Sequence, residues 1–291
     1  MKKNGRRNGV QRYKCLARSH QFQSQRHTNA QKLWHTYTHG KQTYAQIAAQ
    51  EKLSVRWVQK LIDRVELRQE ILLPRSVVIV MDTTYFRRTF GVMVVRCPHQ
   101  KQNIFWEFVA YETVERYVSL VQKLRQHGWY IQAIVCDGRR GLFTAFPGIP
   151  VQMCHFHQAQ IVTRYVTRRP KLAAGIELQS LMRLLPRTDE ASFTHWLSAW
   201  HRRWKGFLAD RTIDPVTGHW HYTHRRLRSA YRSVRSNLPY LFTFEYHPRL
   251  NIPNTTNSLD GTFAHIKDKL RLHRGLKLHR KQKLIEELLR S

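Results

Sequence analysis

The sequence predicts an α/β protein: a mixed β-sheet core carrying a long helical insertion, preceded by a small helical unit. Three observations lead there. Apolar, strand-like runs end in aspartate at Asp82 and Asp137. Residues 28–70 show helical spacing and no strand pattern. The stretch from Asp137 to Asp260 is too long for one connection in a compact domain, so it must hold structure of its own.

Residues 1–70 hold no convincing strand. Ala30, Leu33, Trp34 and Tyr37 recur at helical spacing until Gly40. Thr43 can cap a second helix with Tyr44, Ile47 and Ala48 inward. A turn at Lys52-Leu53 leads to Ser54, a good N-cap, and then to an inward face of Val55, Val58, Leu61, Ile62 and Val65. Arg56, Gln59, Lys60 and Arg64 face outward. Two short helices on a tight turn with a basic outer face read as a helix-turn-helix that meets DNA, although an ordinary helical hairpin shares the pattern. Upstream, residues 11–22 look like half of a zinc ribbon. A ribbon needs two close ligand pairs, and here Cys15 stands alone with Arg18 three residues on, so no zinc is expected.

The core follows. Val77 to Met81 is an unbroken apolar run, as in a central strand, with Asp82 at its carboxyl end. Phe90 to Arg96 and Ile104 to Tyr111 give two further strands. Glu115 to His127 is helical, with Tyr117, Val118, Val121 and Leu124 on one face and Gly128 as its stop. Ile131 to Cys136 is a strand ending at Asp137. Val151 to Met153 is a last short strand running into Cys154-His155-Phe156-His157, with His155 alternating to the opposite side. Three strands, a helix and a strand ending in aspartate is the order of a ribonuclease-H-like mixed sheet, in which the first and fourth strands are neighbours. That order brings Asp82 and Asp137 together. Asp260 follows a polar turn, on a helix whose apolar face is Leu259, Phe263, Ile266 and Leu270.

Charge narrows the function. The chain has 291 residues, with 50 Lys+Arg against 19 Asp+Glu and a net charge of +31, which calls for a polyanionic partner. With 42% hydrophobic residues and 8 Trp, it is a folded protein and not a basic tail. No run approaches the roughly 20 apolar residues of a membrane span, and the basic start lacks the apolar segment of a secretory signal. Cys15, Cys97, Cys136 and Cys154 show no disulfide framework. The expectation is a cytoplasmic protein that binds DNA and no membrane.

Three carboxylates gathered by a fold suit Mg²⁺ or Mn²⁺, since hard cations take oxygen ligands. Two such ions about 4 Å apart serve phosphoryl transfer by activating water or a 3′-hydroxyl and stabilising the leaving oxygen. A lone aspartate after a strand is more often a turn former. Three of them, in this order and in so basic a chain, point to catalysis. Lys267 lies two turns after Asp260 and can reach a DNA phosphate; Lys269, Arg271 and Arg274 extend that basic run. A single helix is expected from Leu272 to Leu289, serving DNA or subunit contacts.

The runs Met81-Asp82-Thr83-Thr84, Val135-Cys136-Asp137-Gly138, Cys154-His155-Phe156-His157 and Asn254 to Gly261 together resemble a bacterial insertion-sequence transposase of the Mutator-like superfamily, in its zinc-binding variant form. The resemblance covers nearly the whole chain. It implies a metal-binding acidic triad of the DDE/DDD type at Asp82, Asp137 and Asp260. It implies cleavage of transposon ends and joining of the 3′-hydroxyl to target DNA, with a homodimer or larger synaptic complex on the bacterial nucleoid. The third acid is usually Glu in such triads, and Asp260 is shorter by one methylene. The third run resembles the superfamily's Cys-x-x-His signature, and Cys154 with His157 is expected to buttress the active site. Zinc is not expected there either, because these ligands are too few and too close for a tetrahedral site.

The resulting layout is a ribbon-like remnant (1–27), a helix-turn-helix (28–70), the first part of the core (71–165), an all-helical insertion (166–250) and the last part of the core (251–291). Trp196, Trp200 and Trp204, with Leu197 and Phe207, mark the insertion as helical and form a packing stripe. One of them, or Trp220 in its basic and aromatic segment, could instead stack on an unpaired base. A second reading of the whole chain is a defective copy that binds element ends as a repressor. A ribonuclease-H-like nuclease for other DNA structures leaves the helix-turn-helix and the insertion unexplained.

Overall fold

The computed structural model describes residues 1–7, 10–23, 28–67, 72–87 and 89–290. The segment limits expected at residues 27, 70 and 71 lie outside these. The chain divides into two compact units, Met1–Arg68 with Leu272–Glu287, and Gln69–Arg271 with Leu288–Ser291.

The first unit opens with strands, which overturns the expectation of none before residue 70. β1 (Lys2–Arg7), β2 (Val10–Lys14) and β3 (Gln21–Gln23) form an antiparallel sheet in that order. These strands are largely exposed and made of basic and polar residues, so no apolar alternation marks them. Tyr13 stacks on Phe22 at 5.9 Å across the β2–β3 pair, and the Cys15 N–H donates to the His20 carbonyl at 2.9 Å to close the loop between these strands.

Three helices follow: α1 (Ala30–Thr38), α2 (Tyr44–Glu51) and α3 (Val55–Asp63). Asn29, Thr43 and Ser54 cap them, Thr43 with Gln46 in a reciprocal capping box. Lys52 ends α2 in the left-handed region at φ 55°, which sets the tight turn into α3. Leu33, Trp34, Tyr37, Ile47, Ala48, Val58 and Ile62 form the core of this unit. Val55, assigned inward from its spacing, is 42% exposed, because the buried stripe begins one turn later at Val58. Arg280 grips both carboxylate oxygens of Asp63, at 2.8 and 2.6 Å, and Lys283 donates to the Ile62 carbonyl at 2.8 Å, which satisfies the end of α3.

The second unit is built on β4 (Ser76–Phe86), β5 (Phe90–Cys97), β6 (Gln102–Val109), α4 (Val114–Gln126), β7 (Tyr130–Cys136) and β8 (Val151–Met153). Their sheet has the order β6-β5-β4-β7-β8, antiparallel from β6 to β4 and parallel from β4 to β8. The protein is therefore a mixed α/β fold around a five-stranded mixed sheet. The β4 strand does not stop at Asp82; it stays paired with β5 as far as Phe86↔Phe90. One sheet face, with Val77, Ile79, Met81, Ile134 and Cys136, packs on Tyr117, Leu120, Val121 and Leu124 of α4. Truncating either buried leucine to alanine would cost on the order of 2–5 kcal/mol.

Then come α5 (His155–Val166), α6 (Ala173–Leu184), α7 (Glu190–Ala209), β9 (Arg211–Ile213), β10 (Trp220–Tyr222), α8 (Arg225–Leu241), α9 (Thr243–Tyr246), α10 (Asn257–Leu272) and α11 (Leu278–Arg290). Three expectations change here. His155-Phe156-His157 opens a helix and does not continue β8, with Cys154 as its N-cap residue. The insertion is not all-helical: β9 and β10 pair as an antiparallel hairpin, whose turn Asp214 fixes by accepting from the Val216 and Thr217 N–H groups. The last helix begins at Leu278, because α10 ends at Leu272 and Gly275 turns the chain at φ 77°.

The helices α5 to α8 share a core of Val162, Leu178, Phe193, Trp200 and Val234, with Met153 of β8. Gln152, fully buried on β8, joins sheet to insertion: its amide donates to the Leu241 carbonyl at 2.7 Å and accepts from the Phe244 N–H at 3.1 Å. Among the described residues no helix is long and apolar enough to cross a membrane.

A candidate acidic active site

Strand register places the first two acids. The parallel ladder pairs Val80 with Val135, so Asp82, inside β4, and Asp137, the first residue past β7, stand two positions beyond it on the same side. The α4 helix covers the other face. Gly138 follows Asp137 where a Cβ would collide with the side chains of Met153 and Ile161, so glycine lets the chain pass close behind the second acid. The Thr83 N–H donates to Asp82 Oδ1 at 2.8 Å, and the Arg139 N–H donates to Asp137 Oδ1 at 3.1 Å.

The third acid arrives on α10. Its first turn is anchored from the α5 end: the His155 N–H donates to the Asn254 carbonyl at 2.9 Å. The N–H of the buried Thr256 donates to Cys154 Sγ at 3.3 Å. The Thr256 carbonyl accepts from Leu259 and Asp260, and so sets the start of the helix that carries Asp260. One cleft is lined by Asp82, Thr84, His157, Asp260, Lys267 and Arg271, and a second by Asp137, Arg139, Arg140, His157 and Arg164. His157 lies between the two.

Electrostatics tie these groups together. Burial, reinforced by the charges of Asp137 and Asp260, raises the Asp82 carboxyl to about 7 against the pull of His157. Asp137 is raised by burial and by the charge of Glu112, and Asp260 by burial. Burial lowers the affinity of His157 for its proton, but hydrogen bonding to Cys154 and the charges of Cys154, Asp82 and Asp137 outweigh it and lift His157 to about 9. Burial likewise opposes ionisation of Cys154, and His157 with Thr256 overcomes it and holds the thiol below its ordinary value. Buried Cys154 and half-buried His157 thus form a pair beside the acids. His155 points elsewhere, with its Nε2 against the Leu241 carbonyl.

The donor set consists of hard carboxylate oxygens close enough to repel one another, which suits Mg²⁺ or Mn²⁺. The buried Nδ1 of His157 has no hydrogen-bond partner, so polar capacity remains at the centre. As the side chains stand, no three His, Cys, Asp or Glu among the described residues are already arranged as a cage for an ion.

Of the expected phosphate contacts, Lys267 and Arg271 line the cleft of Asp82 and Asp260. Arg274 is exposed in the turn after α10, and not on a helix. Lys269 is a correction. It is 5% exposed, because a spacing of three from Ile266 puts it on the buried face of α10, so it does not face a phosphate. On α3, Arg56, Lys60 and Arg64 are exposed and Gln59 half-buried, with the Lys60 ammonium over the Trp57 ring at 5.5 Å.

The tryptophans separate by environment. Trp200 is buried and donates to the Ala174 carbonyl at 3.0 Å, and Trp204 donates to Glu177 at 2.7 Å. Both hold helices together. Trp196 is 37% exposed and Trp220 52% exposed, the latter under the Arg211 guanidinium at 4.1 Å. The residues that sequence reasoning missed are Glu112, Tyr117 and Arg139, which surround the first two acids. Tyr117 could be placed only as a core residue, and no spacing singled out Glu112.

Comparison of the sequence with protein-family models and with curated proteins finds no match.

Proposed function

We propose that this chain is a DNA transposase of the DDE/DDD type, with a ribonuclease-H-like core, that cuts transposon ends and joins the 3′-hydroxyl to target DNA. The observation that supports it most is the parallel β4–β7 register, which brings Asp82 of β4 beside Asp137 at the end of β7, with Asp260 sharing the cleft of Asp82 together with Lys267 and Arg271. The sheet order β6-β5-β4-β7-β8 and a helix-borne third acid fit that reading. The likeness of the motif runs to the Mutator-like superfamily supports it from the sequence side.

In this reading Asp82, Asp137 and Asp260 hold two Mg²⁺ or Mn²⁺ ions. When bound, such ions activate water or a 3′-hydroxyl and stabilise the leaving oxygen. The protein's own part is positioning. Register sets Asp82 against Asp137, Thr256 with Cys154 seats the helix of Asp260, and Lys267 and Arg271 receive phosphates of the bound strand. His157 balances the charge of the three acids. The exposed cations of α3 (Arg56, Lys60 and Arg64) serve a helix-turn-helix that grips duplex DNA, with Gln59 beside them, and Arg274 adds a surface phosphate contact. Two ends have to be brought together, which calls for a homodimer or larger assembly on the nucleoid.

The test is cleavage of DNA carrying the element's flanking ends by purified protein with Mg²⁺ or Mn²⁺. Asp82→Asn, Asp137→Asn and Asp260→Asn are each expected to abolish cutting while end binding persists. Binding of ends with no cleavage by the parent would overturn the enzyme reading in favour of a DNA-binding repressor.

A further inference from the structure

Glu112 lies in the loop between β6 and α4, one residue before the N-cap Thr113. A plain account would make it an ordinary ion-pair partner at a helix start. Its contacts lead further. One carboxylate oxygen accepts from the Tyr117 hydroxyl at 2.7 Å, and the other accepts from Arg139 Nη2 at 2.7 Å. Because Tyr117 spends its only proton on Glu112, the Thr83 hydroxyl 2.9 Å away must be the donor to Tyr117. Thr83 in turn presents its N–H to Asp82, and Arg139 its N–H to Asp137. A continuous hydrogen-bonded chain thus runs from Asp82 through Thr83, Tyr117, Glu112 and Arg139 to Asp137.

The charges on this chain have a direction. Arg139 lines the cleft of Asp137 with Arg140 and Arg164, and its permanent charge already reaches that carboxylate. Its guanidinium hydrogen bond, however, goes to Glu112 at 2.7 Å. The Glu112 side chain is 12% exposed and that of Arg139 35%, so solvent screens the pair only in part. Tyr117 is buried, which fixes the reach of Glu112 toward Arg139.

We propose that Glu112 is a positioning residue of the acidic centre, holding the Arg139 guanidinium in an ion pair so that it does not bond Asp137 directly and, through Tyr117 and Thr83, fixing the part of β4 that carries Asp82, so that both carboxylates remain available to a divalent cation. This deepens the reading of the acids as ion ligands and rests on it. Glu112 is not itself a ligand. It acts at one remove, where support groups commonly change metal affinity by about 10–100-fold.

The experiment is a Mn²⁺ titration of the full chain, read as loss of the free-ion electron paramagnetic resonance signal without DNA or turnover. Glu112→Gln should raise the Mn²⁺ dissociation constant by about tenfold or more, because the freed Arg139 then competes for Asp137. Adding Arg139→Gln to that variant should bring affinity back toward the parent, which a merely structural role for Glu112 would not produce. Should Glu112→Gln fail to fold, Arg139→Gln alone decides: binding at least as tight as the parent supports the proposal, and weaker binding overturns it. Equal affinity of Glu112→Gln and parent also overturns it. A parent that binds no Mn²⁺ removes the ion-ligand reading itself, which separates the two failures.

Discussion

Replacing Asp82 by asparagine should make the metal-free protein more stable while abolishing the proposed DNA cleavage. The side chain is 7% exposed, and its carboxyl is raised to about 7 from an ordinary 3.8. A carboxyl whose folded pKa exceeds its unfolded one holds a proton in the native state that unfolding releases. Stability is therefore lost as pH climbs from about 4 to about 7, and the full penalty persists above that. A shift of about three units corresponds to roughly 4 kcal/mol at 1.36 kcal/mol per unit. Asparagine escapes this penalty and keeps an acceptor for the Thr83 N–H. It also removes one of the anions that balance His157, so the net gain should be nearer 1–3 kcal/mol, or about 3–10 °C in melting temperature for a unit of this size. The assay is thermal unfolding of parent and variant in EDTA across about pH 4–8. The gain should be largest near pH 8 and fade toward pH 4. A variant that melts at or below the parent at pH 8, or that gains equally at every pH, would refute the reasoning.

Further outcomes are expected elsewhere. Gln152→Leu strands the Phe244 N–H inside the protein and leaves the Leu241 carbonyl with His155 as its side-chain partner, and should cost about 1–3 kcal/mol by thermal or urea unfolding. Trp200→Ala should destabilise by about 3–5 kcal/mol, since it opens a cavity and removes the indole bond that ties α7 to the Ala174 carbonyl of α6. Trp220→Ala should leave melting almost unchanged while weakening single-stranded DNA binding by about 1–3 kcal/mol in fluorescence titrations, because its exposed ring and the stacked Arg211 offer a base platform. Duplex binding should fall steeply with salt, and Lys267→Ala should flatten the slope of log K against log salt by about one.

Much of this architecture could be read from the sequence wherever burial imposes a period. Val77 to Met81 had to be a central strand because every position is apolar. Thr43 and Ser54 announced their helices because capping side chains satisfy backbone donors that nothing else reaches. The misses have equally physical causes. The front sheet has exposed or half-buried residues throughout and none buried, so its strands bury too little to leave a pattern. Cys154 caps α5 without a side-chain hydrogen bond, and the alternation of polar and apolar groups through His157 mimics a strand. The break before α11 was missed although Gly275, which turns the chain at positive φ between α10 and α11, stands in the expected helix. Asp82, Asp137 and Asp260 could be singled out as candidates because the first two follow apolar runs and the third a polar turn in the sequence. Glu112 could not, because its role arises from two partners, Tyr117 and Arg139, that only tertiary packing brings within reach.

The ladder that aligns Val80 with Val135 has a consequence for how this protein tolerates added residues. One residue inserted between Val135 and Asp137 would turn the second carboxylate to the α4 side of the sheet, where the apolar core lies, and no side-chain adjustment could return it. By contrast, Val216 at the tip of the hairpin is 91% exposed, and nothing approaches a Cβ built at Gly218. A tag or a whole guest domain grafted at that tip lengthens a surface turn and leaves the counting along β4 and β7 untouched. The chain is thus brittle to single-residue insertions at its acidic centre and permissive to long ones at the hairpin, and the hairpin tip is the natural place to attach a label.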